Sequence, residues 1–136
     1  MPNKRTAAKP KAVSPARHAT LREESLRSML ELEESVARTR NQLKVVETTV
    51  RRSRRLLEGG RSMHEIALTI NAADARSVTS GLIREVQGAR HRSHQAAFKL
   101  AAAEGSTMAE IAREWGVSRQ LVSRMVKEPL ARRKKA

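Results

Sequence analysis

The stretch from Thr20 to Glu58 contains no glycine or proline and is followed at once by Gly59-Gly60. This constrains the fold more than any other feature, because an uninterrupted segment of that length predicts a single helix, about 58 Å long at 1.5 Å per residue. Thr20 with Glu23 three positions on has capping-box spacing, and the glycine pair tolerates the left-handed conformation that closes helices. Stepping by sevens gives Met29, Val36, Leu43, Val50 and Leu57, an apolar row suited to the a positions of a heptad, beside a half-polar d row of Leu32, Thr39, Val46 and Ser53. A seam this narrow does not hold a long helix in water, so a second helix must cover it, from the same chain or another; we expect a homodimer through residues 20–58. Glu33, Arg40, Glu47 and Arg54 flank the row and favour an antiparallel pair, with Glu33 facing Arg54 and Arg40 facing Glu47.

Composition narrows what such a chain can do. Of 136 residues 39% are apolar, with one Phe, one Trp and no Tyr, which suffices for a modest helical core. Lys and Arg number 28 against 14 acids, a net charge of +14 that points to an acidic polymer as partner. Nine of those charges lie at the ends: Lys4, Arg5, Lys9, Lys11 and Arg17, then Arg132, Arg133, Lys134 and Lys135. With Pro2, Pro10 and Pro15 in the first stretch and Pro129 before the second, we expect a disordered basic arm over 1–19 and a basic tail over 129–136. Such tails attract phosphate without reading sequence. The absence of cysteine removes disulfides, thiolate chemistry and zinc fingers, no apolar run approaches the ~20 residues of a membrane span, and the first residues lack the apolar core of a secretory signal. A cytoplasmic, nucleoid-associated protein of a bacterium, phage or plasmid is expected.

After the glycines the chain repeats itself. Residues 55–67 align with 100–112, matching Met63 with Met108, Glu65 with Glu110, Ile66 with Ile111 and Ala67 with Ala112; further on Asp74 aligns with Ser118 and Val78 with Val122. A helix, a glycine turn, a capped short helix, a second turn and a longer helix are thus predicted twice, over 59–90 and 91–128.

The second copy carries the sharper signal. Ala112 is small where two helices cross closely, Gly116 can end a helix in a left-handed conformation, and Ser118 can cap the next one, while Ile111, Trp115, Val117, Val122 and Met125 supply an apolar seam. From Met108 to Met125 the sequence resembles the helix-turn-helix DNA-binding superfamily. The resemblance implies that the helix opened by Ser118 enters the major groove, with Arg119, Gln120, Ser123, Arg124 and Lys127 outward, with Ser118 near phosphate, and with Thr107 also among the DNA-binding residues. The first copy departs from the pattern: Asn71 replaces the turn glycine, Ala72 and Ala73 lengthen the turn, Asp74 is the expected cap, and Gly81 interrupts the following helix. Its outer face would offer Arg76, Ser77, Thr79, Ser80 and Arg84 to DNA.

No active site is legible. Asp74 is the sole aspartate, the glutamates beyond residue 58 are scattered, and His91 and His94 lack further ligands, so neither catalysis nor a metal or other cofactor is expected. Trp115 and Phe98 sit at core positions, which disfavours RNA modules that stack bases on aromatics, and Glu23, Glu24, Glu31, Glu33 and Glu34 disfavour a membrane-surface helix. The expected fold is all-α: a long coiled-coil-like helix followed by two tandem three-helix units. The expected function is sequence-specific binding of double-stranded DNA by a repressor-type regulator. The alternatives are a DNA-bridging architectural or segregation protein and a DNA-binding accessory of a recombinase or transposase.

Overall fold

The computed structural model describes residues 13–130, so most of the arm and tail expected at the two ends lies outside the described residues. The described chain is all-helical: α1 (Pro15–Glu58), α2 (Met63–Thr69), α3 (Ala72–Ala103), α4 (Met108–Trp115) and α5 (Arg119–Lys127).

The long first helix is present but begins earlier than its capping-box spacing suggests. Ser14 caps it, its hydroxyl accepting from the Arg17 amide at 3.3 Å, and Pro15 takes the first helical position, where a missing N–H is harmless. Thr20 lies inside the helix and donates to the Ala16 carbonyl. Residues 15–19 are therefore helical rather than part of a disordered arm.

Both long helices end in the same way. Gly60 adopts φ 91°, with the Gly60 amide donating to Leu57 and the Arg61 amide to Leu56; Gly105 adopts φ 101°, with Gly105 donating to Ala102 and Ser106 to Ala101. These paired bonds form a Schellman motif, in which the left-handed residue lets the last carbonyls be satisfied. Ser62 and Thr107 then cap α2 and α4.

The two copies diverge beyond that point. Asn71 does take the left-handed conformation, φ 50°, but α3 starts at Ala72 immediately after it, so the turn is shorter than expected and Asp74 lies in the first turn instead of capping it. Strong helix formers, Ala72 and Ala73, directly follow the turn. Where two helices were expected, one ending before residue 91 and one running from His91 to Glu104, a single helix of 32 residues runs through Gly81 without a break. Consequently the last helix of the first expected unit and the first helix of the second are one element.

The described chain divides into two compact units, 30–90 and 13–29 with 91–130, to each of which α1 and α3 contribute a part. In the 30–90 unit α1 and α3 run antiparallel: Thr39 donates to the Leu82 carbonyl, Gln42 to the Thr79 hydroxyl at 3.4 Å, and Arg38 pairs with Glu85. The long helix thus finds its second helix within its own chain. Its inner seam is not the apolar row either. Ser35 is buried, and Leu32, Thr39, Gln42, Val46, Thr49, Ser53 and Leu56 are half-buried, whereas Val36, Leu43, Val50 and Leu57 are exposed. On α3 the seam is made of Ala75, Thr79, Leu82, Val86 and Ala89, which are mostly small. Ile66 of α2, 1% exposed, fills the core of this unit.

The other unit has the denser core. Phe98, Ile111, Ala112, Val122 and Met125 form its buried centre, with Met108, Val117, Leu121 and Val126 packed around it. The start of α1 attaches to the end of α3 through the Val13 amide, which donates to the Ala103 carbonyl at 3.3 Å, and through His18 Nε2 and Glu104 Oε2 at 3.0 Å.

Candidate nucleic-acid interface

The geometry of α4 and α5 follows from their caps. Thr107 and Glu110 form a complete capping box at the start of α4: the Thr107 hydroxyl accepts from the Glu110 amide at 3.1 Å, and the Glu110 carboxylate accepts from the Thr107 amide. At the other end Gly116 takes φ 66°, and the Val117 amide returns to the Ala112 carbonyl at 3.0 Å. Ser118 then opens α5, its hydroxyl accepting from the Leu121 amide at 3.1 Å. Buried Ile111, Ala112, Val122 and Met125 fix the pair against Phe98 of α3.

Because Val122 and Met125 point inward, the opposite side of α5 is left to Arg119, Gln120, Ser123, Arg124 and Lys127, which line one open concavity together with Met108. Arg119, Gln120, Arg124 and Lys127 are exposed and Ser123 is half-buried. Arg124 lies 3.9 Å from Glu128, a loose surface pair that an anion can displace at little cost.

Two side chains that the sequence pattern does not single out hold the far end of this helix. Gln95, buried on α3, directs Nε2 at the carbonyls of Met125, Glu128 and Pro129, at 3.2, 3.2 and 3.0 Å. Lys99, one turn further along α3, donates Nζ to the Val126 carbonyl at 2.7 Å. The last carbonyls of α5 lack intrahelical donors, and these two residues supply them. Burial lowers the pKa of the Lys99 amine, and nearby Arg17 pushes the same way against Glu24 and Glu128. The signal in the sequence was a polar pair four residues apart, Gln95 and Lys99, on a helix face that also carries Phe98.

The remaining expected site residues are placed differently. Thr107 is half-buried and its hydroxyl is committed to the capping box. Arg76, Ser77, Ser80 and Arg84 are exposed on α3, but Thr79 faces α1 in the seam with Gln42, so it does not share their outer face. Trp115, expected in the core, is 43% exposed. Its ring meets Phe98 edge-on at 5.2 Å and His94 at 5.1 Å. Among the described residues no three His, Asp or Glu side chains gather as metal ligands, and no helix is long and apolar enough to cross a membrane.

Compared with protein families, with characterised proteins and with solved structures, the chain matches none.

Proposed function

We propose that this chain is a double-stranded DNA-binding regulator of the repressor kind, acting as a dimer on bacterial, phage or plasmid DNA, with α4 and α5 as a helix-turn-helix unit and α5 as the helix that enters the major groove. The observation that carries the reading is the exposed face of α5. Two arginines, a glutamine and a lysine stand on one side of a short helix that is capped at its start by Ser118, anchored along its inner side by Val122 and Met125, and clamped at its end by Gln95 and Lys99. A rigid helix with guanidinium and amide groups near its N-terminus suits bidentate pairing, Arg with guanine and Gln with adenine. The net charge of +14 supplies the phosphate attraction that base reading requires.

Within this reading the α2–α3 segment is the first, altered copy of the unit, and Arg76, Ser77, Ser80 and Arg84 are its available DNA contacts. The terminal charges favour one further function, the coating or bridging of DNA with little base preference.

Competition binding decides between the two. Sites selected from random duplexes are challenged with genomic DNA at fixed salt. A regulator holds its selected site about a thousandfold or more tighter, whereas a coating protein shows a ratio near one. Removing residues 1–12 and 131–136 should flatten the dependence of log K on log salt by about 0.9 for each phosphate that is no longer neutralised, while the preference among sites survives.

A further inference from the structure

Helix α1 turns one row of bulky apolar residues outward. Val36, Leu43, Val50 and Leu57 are 46, 51, 60 and 53% exposed, although they recur every seven residues as a packing row does, while the inner seam against α3 is filled largely by Ser, Thr and Gln. A helix that packs on one side only shows the opposite distribution. The heptad register that places Arg38 and Glu85 on one flank of the α1–α3 pair places Val36 and Ile83 on the other, and Ile83 is also exposed, at 43%. Residues 1–12 and 131–136, outside the described part of the chain, include no large apolar side chain except Met1.

We propose that this face of α1 is an antiparallel interface with a second copy of the chain, centred on Leu43. The row is complementary to itself under a two-fold rotation there: Leu43 meets Leu43, and Val36 and Val50 meet each other's counterparts. The neighbouring column has the matching property. Glu33, Arg40, Glu47 and Arg54 meet Arg54, Glu47, Arg40 and Glu33, so every pair is of opposite sign, whereas a parallel arrangement sets like against like at all four. In the single chain Glu47 and Arg54 are held by exposed pairs to Arg51 and Glu58, at 2.7 and 2.9 Å, which exchange partners readily. The interface deepens the DNA reading by fixing which face joins the two copies, but its test involves no DNA.

Sedimentation of the purified full-length chain, with no DNA present, should give a dimer. Leu43→Glu should raise the dimer dissociation constant about tenfold or more with helicity unchanged, since position 43 is exposed within the chain. Glu47→Arg should weaken association, and adding Arg40→Glu in the same chain should restore it. The chain has no cysteine, so Val36→Cys and Val50→Cys variants can be mixed: an antiparallel pair cross-links 36 to 50, whereas a parallel pair cross-links each variant to itself. A monomeric wild type, a dimer indifferent to Leu43→Glu, or a 36-to-36 cross-link overturns the proposal.

Discussion

Helices α2 and α4 begin from the same local instructions and lead to different structures. Each follows a long helix closed by a left-handed glycine, Gly60 or Gly105. Each is capped by a hydroxyl that accepts the amide three residues on, and each buries one isoleucine, Ile66 at 1% and Ile111 at 0% exposure. The divergence lies in what comes next. After Gly116, Val117 and Ser118 intervene before α5, so α5 is free to set its own direction. After Asn71 nothing intervenes, and the chain passes directly into a helix of 32 residues whose seam is occupied by α1. Two residues between a left-handed turn and the next helix separate a short, exposed, basic helix from one largely spent on packing.

The largest effect expected from this comparison is shared by both helices. Ile66→Ala and Ile111→Ala should each cost about 2–5 kcal/mol in urea unfolding, since both side chains are fully buried. A much smaller loss at Ile66 would show that α2 is not anchored as α4 is. The next effect should split them. Arg119→Ala and Gln120→Ala should each cost about 1–3 kcal/mol on the selected DNA site and little on random duplex, whereas Arg76→Ala should leave the ratio unchanged. Anisotropy titrations measure both, and an unchanged ratio for the α5 variants in a folded protein would remove α5 as the reading helix.

The turn residues come third. Gly116→Ala forces a β-carbon into φ 66° and should cost about 1–2 kcal/mol, while Asn71→Gly should be nearly neutral because asparagine already tolerates its left-handed conformation. Equal sensitivity at the two positions would mean that the turns are more alike than their geometry indicates. The smallest effect concerns the continuity of α3. A β-carbon at Gly81 meets nothing within 4 Å, so Gly81→Ala should raise stability by about 0.5–1 kcal/mol in the same unfolding assay.

Much of α4 and α5 was legible because caps and turn glycines act within four residues, and their signals survive whatever the rest of the chain does. Gly116 and Ser118 take the turn and cap roles expected of them, and Ile111, Val122 and Met125 are inside. The seam of α1 was not legible for the converse reason. Periodicity is read from large apolar residues, and the unbroken row of them faces outward, while much of the contact with α3 is made by Ser35, Thr39 and Gln42, whose pattern is faint on any hydropathy scale. Gly81 suggested a break in α3, yet its cost of about 1 kcal/mol is small beside the packing of Leu82, Val86 and Ala89 along the same helix. Gln95 and Lys99 escaped because their partners are carbonyls about thirty residues away, which no local pattern announces.

The position of Trp115 makes the protein its own optical probe. It is the sole tryptophan of the chain, at the end of α4 beside the turn that orients α5, with its indole partly in water and its ring against Phe98 and His94. Emission excited selectively in the indole band therefore reports from a single known place. A ligand seated on α5 that excludes water from the turn should shift that emission to the blue without any attached dye.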